Sequence, residues 1–226
     1  MDVRINGIIV PDDDVDFYEW FGISAFSPKK IHEAIREAAG ERLDVFINSN
    51  GGAVTAGSEI YESIRQYAGG ALIHVTGVAH SAASVIACAA ESEMAPTGLM
   101  MVHCASGCAW GNHAEMEKTA EILRTVDKAL AAAYREKSGM PENEILQMME
   151  VETWLTAEDA VAYGLIDRVS TPAAGGENKP LAAAASSFGL ADPEAIAEWR
   201  RQQAENKNNA IAAARARFKY LQMVNV

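Results

Sequence analysis

Residues 71–86 read ALIHVTGVAHSAASVI, an apolar run with a strand pattern that passes through a glycine into small apolar residues. We expect a strand over residues 71–76, a turn at Gly77 and a buried helix over residues 82–90. Ser81 then lies at the N-terminus of that helix, where free backbone N–H groups and the helix dipole favour negative charge. A nucleophilic serine needs such surroundings, and a purely structural N-cap serine fits the same stretch.

Strand and helix patterns alternate on both sides of this stretch. Further strands are predicted at residues 3–10, 43–48 and 99–103. Helices are predicted after Ser27-Pro28, across residues 60–67, over residues 112–137, and near residues 142–150 and 157–163. Strands that alternate with helices predict an α/β domain with a largely parallel sheet.

The composition of the chain changes near residue 170. Residues 1–170 hold 12 Lys and Arg against 26 Asp and Glu, whereas residues 171–226 hold 7 against 5, so the net charge changes from −14 to +2. Residues 171–180 (TPAAGGENKP) have the composition of a linker, and a helical pattern begins at Asp192-Pro193. We therefore predict a main domain over residues 1–170, a linker over 171–190 and a C-terminal helical tail over 191–226.

Charge and hydropathy exclude several classes of protein. The acidic main domain lacks the basic patches that bind phosphate backbones, so no nucleic-acid partner is expected. The sequence has no apolar run of the roughly 20 residues that a membrane helix needs, and no secretory signal pattern. The cysteines are three, Cys88, Cys104 and Cys108. An odd number of cysteines argues against a disulfide scaffold, and we expect a cytoplasmic protein.

Two further segments would complete a site around Ser81. Residues 48–52 (NSNGG) end an earlier strand, and paired glycines allow positive φ and close backbone approach. The N–H groups of Gly52 and Ala82 would then form an oxyanion hole. The strand at 99–103 ends in His103, at the sheet edge where α/β sites form, so His103 would serve as a general base. Each segment taken alone also fits a structural role.

Three blocks in this order resemble the Clp-type serine peptidases, the ClpP family. They are residues 47–52 (INSNGG) with the helix after them, residues 77–81 (GVAHS) and residues 101–103 (MVH). Within that family the chain is most similar to the ClpP-like head-maturation (prohead) proteases of tailed phages. The resemblance covers residues 3–170, and blocks with matching order and spacing are far more specific than any one of them.

The resemblance implies a ClpP/crotonase-type fold of repeated β-β-α units with a long helix, the handle, over residues 112–137. It also implies that Ser81 is the nucleophile, that His103 is the base, and that the Gly52 and Ala82 amides form the oxyanion hole. The family's acidic residue precedes a block that resembles residues 154–167 (WLTAEDAVAYGLID). Glu152 stands at that position in place of Asp, and Glu150 is the neighbouring alternative. Asn50 and His80 also depart from the family pattern.

By the same resemblance the chain is a serine endopeptidase that processes phage capsid-assembly proteins, either prohead or scaffold. Residues 104–113 would form an extended strand that pairs with the substrate backbone, and the handle would join copies of the chain into a homo-oligomeric ring. No axial N-terminal segment is present, so no ATPase partner is expected. The expected location is the host cytoplasm or the prohead. No cofactor is expected, and no metal either, since the spacing of His103, Cys104, Cys108 and His113 fits no standard zinc site.

Two other functions remain open from the sequence. A crotonase-type acyl-CoA enzyme shares this kind of sheet and uses an oxyanion hole, but it works with carboxylates rather than with a serine and a histidine. A catalytically dead assembly scaffold would need neither group. Retention of Ser81, His103 and an acidic candidate favours the peptidase.

Overall fold

The computed structural model describes residues 1–171. The chain divides into two units, Met1–Pro172 and Ala173–Val226, and the described residues belong to the first. The predicted linker beyond Thr171 and the predicted tail lie outside the described residues.

Eight strands and seven α-helices alternate along the described residues. The strands are β1 (Asp2–Ile9), β2 (Ala25–Phe26), β3 (Leu43–Gly52), β4 (Ala71–His80), β5 (Glu91–Met94), β6 (Leu99–Val102), β7 (Thr153–Leu155) and β8 (Arg168–Val169). The helices are α1 (Val15–Trp20), α2 (Pro28–Ala38), α3 (Val54–Arg65), α4 (Ala82–Ala87), α5 (His113–Ser138), α6 (Glu142–Glu150) and α7 (Ala157–Ala162).

The strands form one sheet in the order β2-β1-β3-β4-β5-β8, and all neighbours on this path are parallel. The sheet forks at β4, because β5 pairs with its first half and β6 with its last three residues, Val78, Ala79 and His80. Strand β7 then pairs antiparallel with β6. The α/β class with a parallel sheet is therefore confirmed.

The core lies where β1, β3 and β4 meet the helices that follow them. Ile5, Leu43, Ile47 and Ile73 on these strands are completely buried. Their alternation along each strand places every second residue in the core, as expected for β-structure. Within residues 1–171 we find no helix that is both long enough and apolar enough to cross a membrane.

Local signals correctly predicted two of the helices. Helix α2 begins at Pro28 directly after Ser27, as the Ser-Pro pair predicted. The long helix predicted over residues 112–137 is α5, whose N-cap is Asn112. The Asn112 side chain accepts hydrogen bonds from the backbone of the first turn, and the Glu115 carboxylate closes a capping box.

The turn predicted at Gly77 is wrong, because β4 continues through Gly77 to His80. Gly77 instead gives room to the side chain of Asn48 on the neighbouring strand, whose Oδ1 would collide with any β-carbon at this position. Asn48 Oδ1 also accepts a hydrogen bond from the Val78 N–H at 3.1 Å. The glycine therefore marks a close approach between two strands at an irregularity in their register.

Residues 11–24 form a 3-10 turn and α1, which the sequence patterns did not predict. Helix α1 has only six residues and none of them is buried. A short helix without a buried face shows no apolar periodicity, and periodicity is the signal from which helices are predicted.

Candidate active site

Ser81 lies in a sharp turn between β4 and α4. Its backbone has φ 55° and ψ −126°, a conformation that residues with a side chain rarely adopt. Such a conformation costs about 1–3 kcal/mol and persists only when the surroundings impose it. Here the Ser81 N–H donates to the Met101 carbonyl at 3.0 Å, and the Ser81 carbonyl accepts from the Ser84 N–H at 2.9 Å. The turn therefore presents the serine at the end of the strand.

His103 reaches Ser81 because β4 and β6 are parallel neighbours. In their register His80 pairs with Met101, so the residues that follow both strands emerge at the same sheet edge. The distance between His103 Nε2 and Ser81 Oγ is 2.8 Å, a hydrogen bond, and both side chains are partly buried. With the hydrogen on Nδ1, the Nε2 atom accepts the serine proton, which is the arrangement that a general base requires.

Backbone hydrogen bonds hold the chain directly after His103. The Cys104 N–H donates to the Met149 carbonyl at 3.1 Å, and the Ala105 N–H donates to Asp127 Oδ1 at 2.6 Å. Asp127 is a buried carboxylate on α5. Burial raises the pKa of the Cys104 thiol, and the Asp127 charge raises it further. Helices α5 and α6 therefore fix the direction in which the chain leaves His103.

Glu152 directly precedes β7, the strand that pairs with β6. Val102 and Thr153 are the last pair in the antiparallel register of these strands, and His103 and Glu152 are the residues next to that pair. The Glu152 carboxylate accepts a hydrogen bond from Trp154 Nε1 at 3.1 Å, and its backbone has φ 52°. No hydrogen bond within residues 1–171 joins Glu152 to His103. The role of Glu152 as the acid therefore stays a prediction.

Glu150, the alternative acid, has different neighbours. It lines a cavity of about 320 Å³ between α5 and α6, next to Cys104. The other lining residues are Arg124, Asp127, Lys128 and Leu146. This carboxylate is therefore surrounded by the charged side chains of α5, whereas Glu152 belongs to the strand that pairs with β6.

The end of β3 brings Gly51, the first of its two glycines, against Ser81. A β-carbon on Gly51 would lie 2.6 Å from the His80 carbonyl oxygen and 2.7 Å from Ser81 Cβ, and its φ is +87°. Gly52 lies instead against Ile9 of β1, and Ala82 is the buried first residue of α4. The glycine pair in the sequence does not indicate which of its two residues lies against Ser81, and in the structure it is Gly51. The oxyanion role of the Gly52 and Ala82 amides stays a prediction.

His80 and Asn50, two departures from the family pattern, contact each other. His80 Nδ1 and Asn50 Oδ1 are 3.1 Å apart, and the His80 ring packs edge-on against Trp154 with a centroid distance of 4.7 Å. The His80 Nε2 atom is buried and has no hydrogen-bond partner within residues 1–171. Burial lowers the pKa of His80 below its usual range. A neutral imidazole therefore precedes Ser81 in the chain, and its hydrogen bond goes to Asn50.

The sequence matches a known protein family. A sequence profile described as Clp protease matches residues 30–173, which is more than half of the chain. The chain belongs to the Clp protease family. The family resemblance predicted from the three sequence blocks is therefore confirmed, and the parallel α/β architecture is consistent with the fold of that family.

Curated relatives in this family include Clp proteolytic subunits from two bacterial groups. The chain is 34% identical over 134 residues to the "ATP-dependent Clp protease proteolytic subunit 2" of Chlamydia pneumoniae, covering 58% of this chain and 66% of that protein. It is 31% identical over 133 residues to the "ATP-dependent Clp protease proteolytic subunit" of Bacteroides fragilis, covering 58% and 64%. The alignments thus span slightly less than two thirds of these relatives.

Proposed function

We propose that this chain is a serine endopeptidase. The observation that carries the proposal is the 2.8 Å hydrogen bond between Ser81 Oγ and His103 Nε2 at the sheet edge, in a chain of the Clp protease family. Ser81 Oγ attacks the peptide carbonyl while His103 takes its proton. His103 then returns that proton to the leaving amine, and water releases the acyl group by the reverse sequence. The amides of Gly52 and Ala82 stabilise the oxyanion.

Glu152 is the proposed acid that orients the base. The register of β6 and β7, continued by one residue pair, supports this assignment. To bond to His103 Nδ1, the Glu152 carboxylate would have to leave the Trp154 indole. In that arrangement the carboxylate holds the imidazole in the required tautomer and stabilises the imidazolium that forms. The Trp154 indole then acts as a competing donor for the same carboxylate.

Protein substrates and an assembly of several copies belong to the same proposal. Residues 104–113 would pair with the substrate backbone, as an added strand does. In the N-terminal half of α5, residues 113–126, no side chain is buried. Ile122 and Met116 there are 54% and 37% exposed, so this half of the helix offers an apolar surface to a second copy.

The finer part of the proposal concerns the substrate and the energy source. The similarity of the sequence blocks to phage head-maturation proteases supports capsid-assembly substrates and cleavage without an ATPase. The names of the curated relatives point to ATP-dependent degradation instead. Incubation with a purified phage scaffold protein, with and without a Clp unfoldase and ATP, compares the two. Cleavage that requires the unfoldase and ATP would contradict the ATP-independent reading.

The deciding experiment is covalent labelling of Ser81 with a fluorophosphonate, followed by peptide mapping. We expect the wild type to be labelled and to hydrolyse peptides. In Ser81→Ala and in His103→Ala, the rates of labelling and hydrolysis should each fall by about three orders of magnitude or more, since the contributions of residues that act as a unit are not additive. Ser58→Ala, which removes an exposed serine, is the matched control. A crotonase-type enzyme or a dead scaffold would show neither labelling nor hydrolysis in the wild type.

A further inference from the structure

A buried chain of hydroxyl groups connects α5 to the backbone of the nucleophile. The Ser84 Oγ lies 2.6 Å from the Ser81 carbonyl oxygen and 2.7 Å from the Tyr134 hydroxyl. Ser84 is completely buried and Tyr134 is 2% exposed. Neither residue touches the Ser81 hydroxyl, and the proposed reaction uses neither of them.

The direction of these hydrogen bonds follows from the chemistry of the groups. A carbonyl oxygen only accepts, so the Ser84 O–H donates to the Ser81 carbonyl. Because the Ser84 hydrogen points to that carbonyl, the Ser84 Oγ accepts a hydrogen bond from the Tyr134 O–H. Burial raises the pKa of Tyr134, although its hydrogen bond to Ser84 opposes the rise, so the phenol keeps its proton. The donors in this chain therefore run in one order, from Tyr134 to Ser84 to the Ser81 carbonyl.

Holding the Ser81 carbonyl also holds the Ala82 N–H. The two groups belong to one planar trans peptide unit, so they point in opposite directions. The ψ of −126° at Ser81 sets the orientation of this unit, and the Ser81 backbone lies in a strained region that the surroundings must maintain. The Ser84 N–H and the Ser84 hydroxyl both donate to this carbonyl, so the Ala82 N–H is held toward the other side of the turn.

We propose that Ser84 and Tyr134 are positioning residues that orient the Ala82 amide for the oxyanion. This inference rests on the proposed function, since it assigns a purpose to the same site. Oxyanion stabilisation depends on donors that are oriented before the charge develops. The hydroxyl chain supplies that orientation from the buried half of α5, whose core-facing residues include Leu130 and Ala131.

The test compares Ser84→Ala and Tyr134→Phe with the matched control Ser92→Ala. Ser92 is also completely buried, and its Oγ donates to Asp167 on the far part of the sheet. For each variant, kcat and KM for a peptide substrate are measured per site that a fluorophosphonate labels, which removes the effect of unfolded protein. The affinity for a peptide boronate, which forms an adduct with Ser81, is measured beside that for a non-cleavable peptide.

For Ser84→Ala we expect kcat to fall about tenfold with KM within about twofold, because an oxyanion donor acts in the transition state. Boronate affinity should fall by a similar factor while affinity for the non-cleavable peptide is retained. For Tyr134→Phe we expect kcat to fall about threefold, because Ser84 keeps its own hydrogen bond to the Ser81 carbonyl. For Ser92→Ala, kcat per labelled site should equal that of the wild type.

Three outcomes overturn the inference. They are an unchanged kcat per labelled site in Ser84→Ala, a fall of kcat in Ser92→Ala equal to that in Ser84→Ala, and a Ser84→Ala variant in which only KM changes. If Ser84→Ala does not fold, Tyr134→Phe decides alone, and an unchanged kcat there overturns the inference. A wild type that labels and hydrolyses nothing contradicts the proposed function instead, so the two failures are distinguishable.

Discussion

At the scale of single residues, the Glu152 carboxylate has one observed partner, the Trp154 indole, and one proposed partner, the His103 imidazole. Its backbone precedes β7 and lies opposite His103, while its carboxylate accepts from the Trp154 indole. Trp154 is 51% exposed, so this bond competes with water and contributes little to folding stability. As the proposed acid, Glu152 would have to leave the Trp154 indole before its carboxylate could bond to His103.

Removing the competing donor tests this account of the acid. In Trp154→Phe the aromatic ring stays and the N–H is lost, so we expect kcat to rise about two- to fivefold, consistent with one weak hydrogen bond. Glu152→Gln should lower kcat, but less than His103→Ala, since an orienting carboxylate matters less than the proton-transfer group. Steady-state peptide hydrolysis measures all three.

Glu150→Gln is the control for the acid assignment. Glu150 lines the cavity beside Cys104 and α5, so its loss should leave kcat within about twofold of the wild type. A silent Glu152→Gln together with a severe Glu150→Gln would show that the acid was assigned two residues too late.

The buried His80 makes stability depend on pH. Burial disfavours its charged form, so its pKa is lower in the folded than in the unfolded state. The folded protein therefore binds fewer protons, and stability falls as pH decreases through the ordinary histidine range, about 6.5, toward the lower folded value. We expect urea denaturation between pH 7.5 and about 5 to show this loss in the wild type.

The matching variants are His80→Gln and His113→Gln. His80→Gln should flatten the decline of stability in that pH window, because the titrating group is gone. His113 is exposed at the start of α5, so its replacement should leave the decline as in the wild type. An equal decline in all three proteins would mean that His80 does not titrate differently on folding.

At the scale of elements, the sequence predicted those parts whose signals are local. The start of α2 at Ser27-Pro28 and the handle helix α5 follow from capping residues and periodicity. The fork of the sheet at β4 could not be predicted, since a strand with two successive partners looks like one apolar run. The link from Ser84 to Tyr134 depends on residues 50 positions apart, which only the packing of α5 on α4 brings together.

Gly51, at the end of β3, packs closely against the end of β4 and the turn at Ser81. We expect Gly51→Ala to lose several kcal/mol of unfolding free energy and to abolish fluorophosphonate labelling, because the new methyl collides with backbone that cannot yield. Gly40→Ala is the control, since Gly40 also has a positive φ, +96°, with nothing within 4 Å of the added atom. It should lose only about 1–2 kcal/mol, the cost of the backbone conformation. Equal losses in the two variants would remove the argument from close approach.

For the whole molecule, the two halves of α5 have different surroundings. The C-terminal half packs in the core through Leu130, Ala131, Ala133 and Tyr134, whereas residues 113–126 have no buried side chain. The segment after His103 runs beside this open half, because Asp127 holds the Ala105 N–H, and Gly107 lies near Leu123. Association of a second copy with the open half would therefore also order the residues proposed to pair with substrate.

Replacing Ile122 tests whether assembly and activity are connected in this way. Ile122 is 54% exposed, so Ile122→Glu should fold as the wild type does, with an unchanged unfolding free energy within about 0.5 kcal/mol. In an assembly it would bury a charge in an apolar interface, so we expect light scattering to show dissociation into smaller species.

Peptide hydrolysis should then fall at least about tenfold, while labelling of Ser81 by a small fluorophosphonate falls less, because that reagent does not need the paired substrate strand. Glu117→Gln, a neutral change on the same exposed half, should keep both assembly and activity. A dissociated Ile122→Glu protein with full peptidase activity would show that the monomer's own site is sufficient.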